Sequence, residues 1–467
     1  MKKVLHLISS FAHGGAARAL LGVARYSTRR GKFQHEIVSL RPAAPFMVAD
    51  ALRDGIAVIQ APNAATLRAA IETSDIALAH FWNTPELYAW LRSEVPPTRL
   101  AFWFDIAGDQ PPQVITRALL DYADCAVASG RYTLTLPVFQ TLADARMIPT
   151  SPDWERLTDV QSVPHATFNV GYIGTVDFVK MHAQYVRLSA QANIPNARFI
   201  VAGSGNGFVT LRRQAQEWGA AERFEWRGYV EDVGALLQTF DVFGYPLCPE
   251  NYSTSELVLQ EAMYAGIPPV VLPYGGAGRV VQNHVTGIVA QNEIEYTNAL
   301  EFLYQHPDER ARLGNNARAY AQTFFGAEKS AQQWDDIFES MLGAPKRARR
   351  WMPHDAKILS GAEFFVQGLG DTAPQFRTSM VSTDADELHE ADARIAASAP
   401  VLANGDGGIL SYRHAYPNDS HLRFWSGLVL HAQGRRALAA AEFVAARALG
   451  FSSARVAQYL THIVGEA

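Results

Sequence analysis

The sequence has little cysteine, no excess of basic residues and no long apolar run. Only two cysteines, Cys125 and Cys248, occur in 467 residues, so we expect neither a disulfide framework nor a metal site. Lysine and arginine total 41 against 46 aspartates and glutamates, which argues against a nucleic-acid partner. No stretch approaches the roughly 18 apolar residues of a membrane-spanning helix. The apolar run that follows the basic start is interrupted and too short for a signal peptide, so we predict a cytoplasmic protein.

What the sequence does contain is an alternation of short apolar runs with helix-like segments. Lys3 to Ile8 predicts a buried strand, Gly14-Gly15 a turn, and Ala16 to Thr28 an amphipathic helix. After a proline-rich stretch the same pattern restarts at Phe168 to Ile173, which ends at Gly174. Such alternation is typical of parallel sheets covered on both faces. We therefore predict an α/β fold with two doubly wound, Rossmann-like domains facing a cleft.

The segment from Tyr252 to Val271 carries the most informative motif. A polar loop leads into a helix that ends at Gly266 and continues into a strand. A helix N-terminus offers free backbone N–H groups and a partial positive charge, so Thr254, Ser255 and Glu256 are candidate anion-binding residues. A diphosphate would suit such a site.

With the run Glu-Ala-Met-Tyr-Ala-Gly-Ile-Pro from Glu261, the chain resembles the retaining GT-B glycosyltransferases of family four. The resemblance covers most of residues 1 to 342. It implies transfer of a sugar from a nucleoside diphosphate sugar to an acceptor hydroxyl, on a glycan, a lipid-linked glycan, a protein or a small molecule. It further implies retention of anomeric configuration without a metal or other cofactor, and Glu261 as the residue that binds the ribose.

This chain departs from the family pattern at Ser253, eight positions before Glu261, where family members usually carry a second glutamate. Glu256 is the candidate to replace it, as both a catalytic and a donor-binding residue, and Ser253 is itself a donor-binding candidate. The alternative is a capping box in which Ser253 is the N-cap and Glu256 folds back on its backbone N–H.

The glycine that ends the second domain's first strand marks the other donor-binding segment. Family members usually place an arginine directly after this glycine, Gly174, but here Thr175 stands there. Lys180 matches the family's lysine, and its ammonium would stabilise the charge on the departing diphosphate. His182 is either a donor ligand or a packing residue. Further donor-binding candidates, carried by glycine turns and a loop that frames the base in the family, are Gly203, Gly205 and Tyr229.

In the first domain, the loop around Gly15 matches the family's glycine loop across the cleft from the donor. Two strand ends supply further candidates, since ligands of parallel sheets bind at the carboxyl edge. Asp105 and His80 are candidate catalytic residues, with a structural role at a strand end as the alternative for each. The candidate acceptor residues are His13, Trp82, Asn83 and Asp105.

The predicted domains follow from these motifs. They are an acceptor domain at 1–160, a donor domain at 165–325, a crossover helix at 326–345, a linker at 346–385 and a helical module at 386–467. The module's Trp425, Gly427 and Phe443 fall at the packing positions of a tetratricopeptide-like repeat, so it docks on the preceding domain or on a protein partner.

Two further interpretations remain open at this stage. The helix from Ala16 to Lys32 has five basic residues and no acidic one, which is typical of a solvated face and also of peripheral contact with anionic lipid. The other functions compatible with the sequence are a GT-B sugar-nucleotide epimerase and a catalytically degenerate scaffold acting through its helical repeat.

Overall fold

The computed structural model describes residues 1–12, 14–157, 160–351 and 359–465. The described chain divides into two compact units. The first consists of Met1–Phe81, Pro96–Ala107 and Ala123–Ala348, and the second of Trp82–Val95, Gly108–Tyr122 and Arg349–Ala467. Two short segments that follow strands of the first sheet therefore belong with the C-terminal helices.

The first unit begins with a seven-stranded parallel sheet, which forms because the apolar runs of the N-terminal third are short, continuous and buried on both faces. Its strand order is β3 (Ala57–Gln60), β2 (Phe33–Ser39), β1 (Lys2–Ile8), β4 (Ile76–Phe81), β5 (Leu100–Phe104), β8 (Cys125–Ala128), β9 (Arg146–Met147). The accompanying helices are α1 (Gly15–Arg29), α2 (Pro45–Arg53), α3 (Ala64–Thr73), α6 (Arg131–Leu134) and α7 (Pro137–Gln140), with a 3-10 helix at Trp154–Leu157. The strand order reverses beside β1, so ligands are expected where β1 and β4 end.

The second sheet of this unit is parallel and six-stranded. Its order is β12 (Phe224–Gly228), β11 (Ala197–Ser204), β10 (Phe168–Thr175), β13 (Val242–Tyr245), β14 (Pro269–Val271), β15 (Ile288–Val289). Its helices are α8 (Tyr185–Gln191), α9 (Phe208–Glu217), α10 (Val233–Leu237), α11 (Leu257–Tyr264), α12 (Ala277–Val280), α13 (Glu293–Gln305) and α14 (Pro307–Phe324), with a 3-10 helix at Ala221–Arg223. Here the order reverses beside β10, which places its end and the loops after β13 at the second switch point.

The last helix of the first unit, α15 (Ala327–Leu342), packs on the first sheet domain although it follows the second. Trp334 and Phe338 are fully buried against a core that includes Val4 and Trp103. A Cβ at Gly22 of α1 would lie 2.7 Å from the Cβ of Ala327, so the two helices approach closely. The chain thus crosses back to the first sheet domain, and both sheets share one unit.

The second unit is built mainly from helices. They are α4 (Pro85–Arg92), α5 (Arg117–Tyr122), α16 (Gly361–Leu369), α17 (Pro374–Val381), α18 (Ala385–Ala396), α19 (Pro400–Asn404), α20 (Ile409–Ala415), α21 (Ser420–Ala432), α22 (Arg436–Ala448) and α23 (Ser453–Gly465), with a small hairpin of β6 (Asp109–Gln110) and β7 (Gln113–Val114). Helices α16 and α17 occupy the segment for which the sequence predicted a linker. Gly427 of α21 packs against the Phe443 ring of α22.

The predicted fold class is confirmed: two parallel-sheet, Rossmann-like α/β domains are followed by a helical region. The assignment of that region to tetratricopeptide-like repeats stays a prediction. Within the described residues, none of the helices combines the length and the apolarity that crossing a membrane requires.

Candidate active site

The loop before α11 holds Glu256 in an unusual conformation. Glu256 has a positive φ of 47° and directly precedes Leu257, where the helix begins. A residue with a side chain avoids this region unless its surroundings fix it, and such strain concentrates at functional sites. The predicted capping box is wrong, because Ser253 does not cap the helix and its Oγ instead accepts the Ala277 N–H at 3.1 Å. Glu256 is therefore free to direct its carboxylate elsewhere.

That carboxylate forms a buried ion pair with Lys180. Lys180 Nζ lies 2.9 Å from Glu256 Oε2, and the Tyr245 hydroxyl donates to the same oxygen at 2.7 Å. Burial alone lowers the pKa of Lys180, but the adjacent carboxylate outweighs it and the net pKa is raised. Burial likewise raises the pKa of Glu256, but Lys180 and the hydrogen bonds outweigh it, and the net pKa is lowered. Both groups are thus held in their charged forms.

Glu261 lies one turn further along α11 and is 5% exposed. Burial raises the pKa of its carboxyl, an effect that nearby positive charge on Arg18 and Arg156 partly offsets. A buried carboxylate held near cations but apart from the Lys180 pair is suited to accept hydrogen bonds from a polyol.

The loop before α11 also contacts the first sheet domain. The Tyr252 carbonyl accepts the Ala107 N–H at 3.0 Å, and Ser255 Oγ donates to the Thr150 carbonyl at 3.1 Å. A Cβ at Gly15 would lie 3.4 Å from the Leu257 side chain. Since Gly15 begins α1 and Leu257 begins α11, two helix N-termini face each other here. This arrangement concentrates partial positive charge between the two sheets.

The predicted glycine turns lie at the carboxyl ends of β10 and β11. Gly203 has a φ of +138°, and a Cβ there would stand 1.8 Å from the Gly174 carbonyl oxygen. Any side chain at position 203 would therefore push the two strand ends apart. Thr175 ends β10 beside this contact, and Gly205 follows with a φ of +151°. Backbone thus lines this part of the edge.

The two other donor candidates, His182 and Tyr229, lie in different surroundings. His182 is buried, its Nε2 lies 3.5 Å from Glu293 Oε1, and its Nδ1 accepts the Gln184 N–H. Burial lowers the pKa of His182 more than Glu293 raises it. Tyr229 follows β12 and is 48% exposed, so its ring is accessible to a ligand.

The acceptor candidates fall into separate groups. Asp105 and His80 come together: Asp105 Oδ2 lies 3.3 Å from His80 Nδ1, and both side chains are buried. Burial raises the pKa of Asp105, and His80 partly opposes this. Trp82 and Asn83 belong to the second unit. His13 lies outside the described residues.

Within the second unit, Asn83 is fully buried in a network of hydrogen bonds. Its Nδ2 donates to the Pro112 carbonyl at 2.5 Å and to the Gly368 carbonyl at 3.3 Å, and the Tyr412 hydroxyl donates to its Oδ1 at 3.3 Å. Gly407, with a φ of +80°, approaches so closely that a Cβ would lie 1.8 Å from the Asn83 carbonyl oxygen. Asn83 therefore ties the loop after β4 to the C-terminal helices.

Sequence reasoning missed several partners of the predicted residues. Tyr245, which donates to Glu256, and Thr150, which contacts the α11 loop, carried no motif. His6 and His35 stand singly in apolar strands, where a histidine is usually a core residue, yet His6 adjoins His80 and His35 adjoins His6. The histidines on neighbouring predicted strands were the available signal.

Most basic residues between Ala16 and Lys32, on α1 and just after it, prove to be paired within the protein. Acidic partners on the 3-10 helix, on α15 and on neighbouring segments contact four of these five residues, in the pairs Arg25 with Asp54 and Asp153, Arg29 with Glu155, Arg30 with Asp335, and Lys32 with Glu339. These residues offer little uncompensated charge to a lipid surface. Among the described residues there is also no cluster of histidine, cysteine and carboxylate side chains fit to hold a metal ion.

Comparison with known families gives the decisive observation, because the sequence model of the family described as glycosyl transferases group 1 matches residues 156–320. The chain contains a glycosyl transferases group 1 domain. This domain covers the second sheet, the Lys180–Glu256 pair and Glu261.

Relatives of known description match part of this chain over part of their own length. The putative glycosyltransferase EpsD of Bacillus subtilis (strain 168) is 23% identical over 202 residues, which are 42% of this chain and 52% of EpsD. The D-inositol 3-phosphate glycosyltransferase of Gordonia bronchialis is 31% identical over 176 residues, or 36% of each chain. The chain thus matches about half, or less, of these relatives' length.

Solved structures resemble the chain well beyond the group 1 domain. Anabaena Alr3699/HepE in complex with UDP and glucose is 19% identical with a TM-score of 0.59, covering 73% of this chain and all of that one. Sucrose-phosphate synthase from Thermosynechococcus elongatus is 16% identical with a TM-score of 0.58, again covering 73% of this chain and all of its own. These likenesses show a shared fold of two Rossmann-like domains.

Proposed function

We propose that this protein is a glycosyltransferase that moves a sugar from a nucleoside diphosphate sugar to an acceptor hydroxyl, with retention of anomeric configuration and without a metal. The observation that carries the proposal is the group of Lys180, Glu256 and Glu261 around the start of α11, opposite the start of α1. It combines a fixed cation, a helix N-terminus and a separate buried carboxylate of the group 1 domain with the N-terminus of α1 from the first sheet domain. The named functions of the relatives agree with it.

In this proposal each group has one task at the donor. The Glu261 carboxylate accepts hydrogen bonds from the ribose hydroxyls. The Lys180 ammonium and the backbone N–H groups at the start of α11 stabilise negative charge that grows on the diphosphate as the glycosidic bond breaks. These groups supply the positive charge for which other enzymes use a metal ion. Glycine at 174, 203 and 205 lets the backbone approach the phosphates closely.

Glu256 is proposed as the partner that holds Lys180 in position. Its negative charge keeps the ammonium protonated and directs it along the start of α11. A diphosphate that binds there shares the Lys180 charge with Glu256, so the free protein has its cation already in place. Preorganised charge of this kind costs no rearrangement during the reaction.

The acceptor is proposed to bind at the carboxyl edge of the first sheet, with Asp105 as a hydrogen-bond acceptor for its hydroxyl. His80 contacts Asp105, but neither carboxylate oxygen of Asp105 makes a hydrogen bond of good geometry with any described residue. A buried carboxylate left in this state is suited to a ligand hydroxyl. The helical region is proposed to bind a protein partner.

Calorimetry with uridine, guanosine and adenosine diphosphates tests donor binding. We expect one nucleotide to bind the unmodified chain and Glu261→Gln to weaken it at least tenfold. Glu250→Gln is the matched control, because Glu250 lies exposed in the same loop region. Failure of all three nucleotides to bind would refute the proposal and favour the degenerate scaffold.

A panel of nucleotide sugars then tests the reaction. We expect one donor to release its nucleoside diphosphate in the presence of an acceptor, at an unchanged rate in a chelator. NMR of the product reports the anomeric configuration, and inversion would contradict the proposed stereochemistry. An isomerised sugar nucleotide formed without any acceptor would instead identify an epimerase.

A further inference from the structure

Three histidines and Asp105 form a diagonal row across one face of the first sheet. His35 on β2 pairs with Val4 of β1, His6 follows two residues later on β1, and His80 on β4 pairs with Ile8, two residues later again. Asp105 stands two residues beyond Trp103, the β5 partner of His80. Because side chains on a strand alternate between faces, steps of two keep all four groups on the same face.

The ring nitrogens of this row are within hydrogen-bonding distance of one another. His35 Nδ1 lies 2.8 Å from His6 Nε2, and His6 Nδ1 lies 3.2 Å from His80 Nε2. His80 Nδ1 then lies 3.3 Å from Asp105 Oδ2. All four side chains are buried. The row therefore joins the sheet interior to the edge where Asp105 stands.

Burial keeps the inner histidines uncharged. It lowers the pKa of His6 well below its usual range, with help from the adjacent His35 and His80, and it lowers the pKa of His35 to about 3, with help from Arg30. A neutral imidazole has one N–H and one lone pair. With His80 neutral as well, both histidine contacts can be hydrogen bonds in only two ways, with every N–H directed toward Asp105 or every N–H directed toward His35.

The groups at the two ends distinguish these arrangements. At the inner end, His35 Nε2 is buried and has no hydrogen-bond partner among the described residues. It experiences the positive charge of Arg30, which directly follows α1 and pairs with Asp335 on α15. A lone pair is favoured there, since an N–H would be an unpartnered donor near a cation. At the outer end, the Asp105 carboxylate favours an N–H from His80 Nδ1.

Resting on the proposed acceptor role of Asp105, we propose that His35, His6 and His80 are positioning residues whose N–H groups all point toward Asp105. In this arrangement each of the three histidines carries its proton on Nδ1. His80 is thereby fixed as a donor, and Asp105 is presented as an ionised hydrogen-bond acceptor with a defined orientation. The three histidines thereby select one protonation state and one orientation of Asp105. A hydrogen-bonded carboxylate or carbonyl fixes a catalytic histidine in the same way.

Nitrogen NMR on the full chain with labelled histidine tests the arrangement directly. We expect three of the 14 histidines to be neutral Nδ1–H tautomers at pH 7, with signals assigned from His6→Gln and His35→Gln. If these three carry their protons on Nε2, or are cationic, the proposal is wrong. This measurement requires no substrate, so it is independent of the proposed function.

Kinetics of His6→Phe test the consequence for the reaction. The substitution interrupts the row, so we expect the acceptor KM to rise about tenfold, the scale of one lost orienting hydrogen bond. The acid limb of the rate should move to higher pH, because Asp105 loses support for its ionised form, while nucleoside diphosphate affinity stays the same. Val4→Ala, a packing change on the same face of β1, should leave that limb in place. An unmoved acid limb in His6→Phe would overturn the proposal, whereas loss of nucleotide binding in the unmodified chain would overturn only the proposed function.

Discussion

Replacing Lys180 by methionine should destabilise the second sheet domain by an amount that depends strongly on pH. In the native protein the ammonium lies 2.9 Å from Glu256, and both side chains are largely buried. The substitution leaves the carboxylate with the hydroxyl groups of Tyr245 and Ser253 as its remaining donors. Removing one partner of a buried pair typically costs about 3–5 kcal/mol.

The carboxylate can limit this cost by taking up a proton. From the ordinary glutamate pKa of 4.5, protonation at pH 7 costs about 3.4 kcal/mol, and at pH 5 only about 0.7 kcal/mol. Lys180→Met should therefore cost about 3 kcal/mol at pH 7 and about 1 kcal/mol at pH 5. The sign follows because the variant raises the folded-state pKa of Glu256, so that its folded form binds a proton which the unfolded chain has released.

Denaturant titrations at pH 5, 6 and 7 measure the effect, read through hydrogen exchange in β10 and β13 so that this domain is followed by itself. The double variant Lys180→Met with Glu256→Gln should recover most of the stability, because no unpaired charge remains buried. A loss for Lys180→Met that is equal at pH 5 and pH 7 would refute the reasoning. The reasoning would also be refuted if the stability losses of the two single variants summed, within about 0.5 kcal/mol, to the loss of the double variant.

Three further outcomes are expected. As the pH is lowered, nucleoside diphosphate affinity measured by calorimetry should begin to fall at a pH above the ordinary pKa of glutamate. Burial raises the pKa of Glu261, so its carboxylate takes up a proton early and accepts the ribose hydrogen bonds less well. Glu261→Gln should remove this pH dependence. Gly407→Ala should lower the stability of the second unit by about 2 kcal/mol or more, because the new Cβ would clash with the Asn83 carbonyl. Gly434→Ala is the control: Gly434 has a similar φ but open space around it, so its substitution should cost about 1 kcal/mol. Equal losses in thermal unfolding would contradict the clash. The free energy of unfolding should decrease from pH 6.5 toward pH 3 by up to about 1.4 kcal/mol per pH unit, because His35 binds a proton in the unfolded chain that the folded form, with a pKa of about 3, excludes. In urea titrations, the free energy of unfolding of His35→Phe should depend less steeply on pH.

Much of the fold was predictable because each sheet is built from local patterns. The apolar runs at Lys3 to Ile8 and Phe168 to Ile173 correspond to β1 and β10 within two residues at each end, and the helix predicted from Ala16 to Thr28 is α1. Hydrophobic periodicity and glycine turns act over a few residues, so the sequence displays them directly. Residues 361–381 were harder, since the apolar faces of α16 and α17 are explained only by the helices they pack against.

The candidate site was predictable only in part, for a comparable reason. The motif around Glu261 lies on one helix, and its neighbours Glu256 and Lys180 were identified from the same family pattern. Whether Ser253 and Glu256 would form a capping box depended on Lys180 and Tyr245, which approach from other elements of the fold. A contact of that kind cannot be deduced from spacing along the chain.

The sequence by itself determined the two α/β halves, and it predicted an anion site at the start of α11, with charge supplied locally in an acidic protein. Local residue patterns and helix-end chemistry are sufficient for these conclusions. Only the tertiary structure decided that Glu256 pairs with Lys180, that His6 and His35 continue the contact between His80 and Asp105, and that Asn83 belongs with the C-terminal helices. The physical reason is that these contacts join residues roughly 30 to 330 positions apart, where strand register and the packing of helices, rather than neighbouring residues, decide which groups meet.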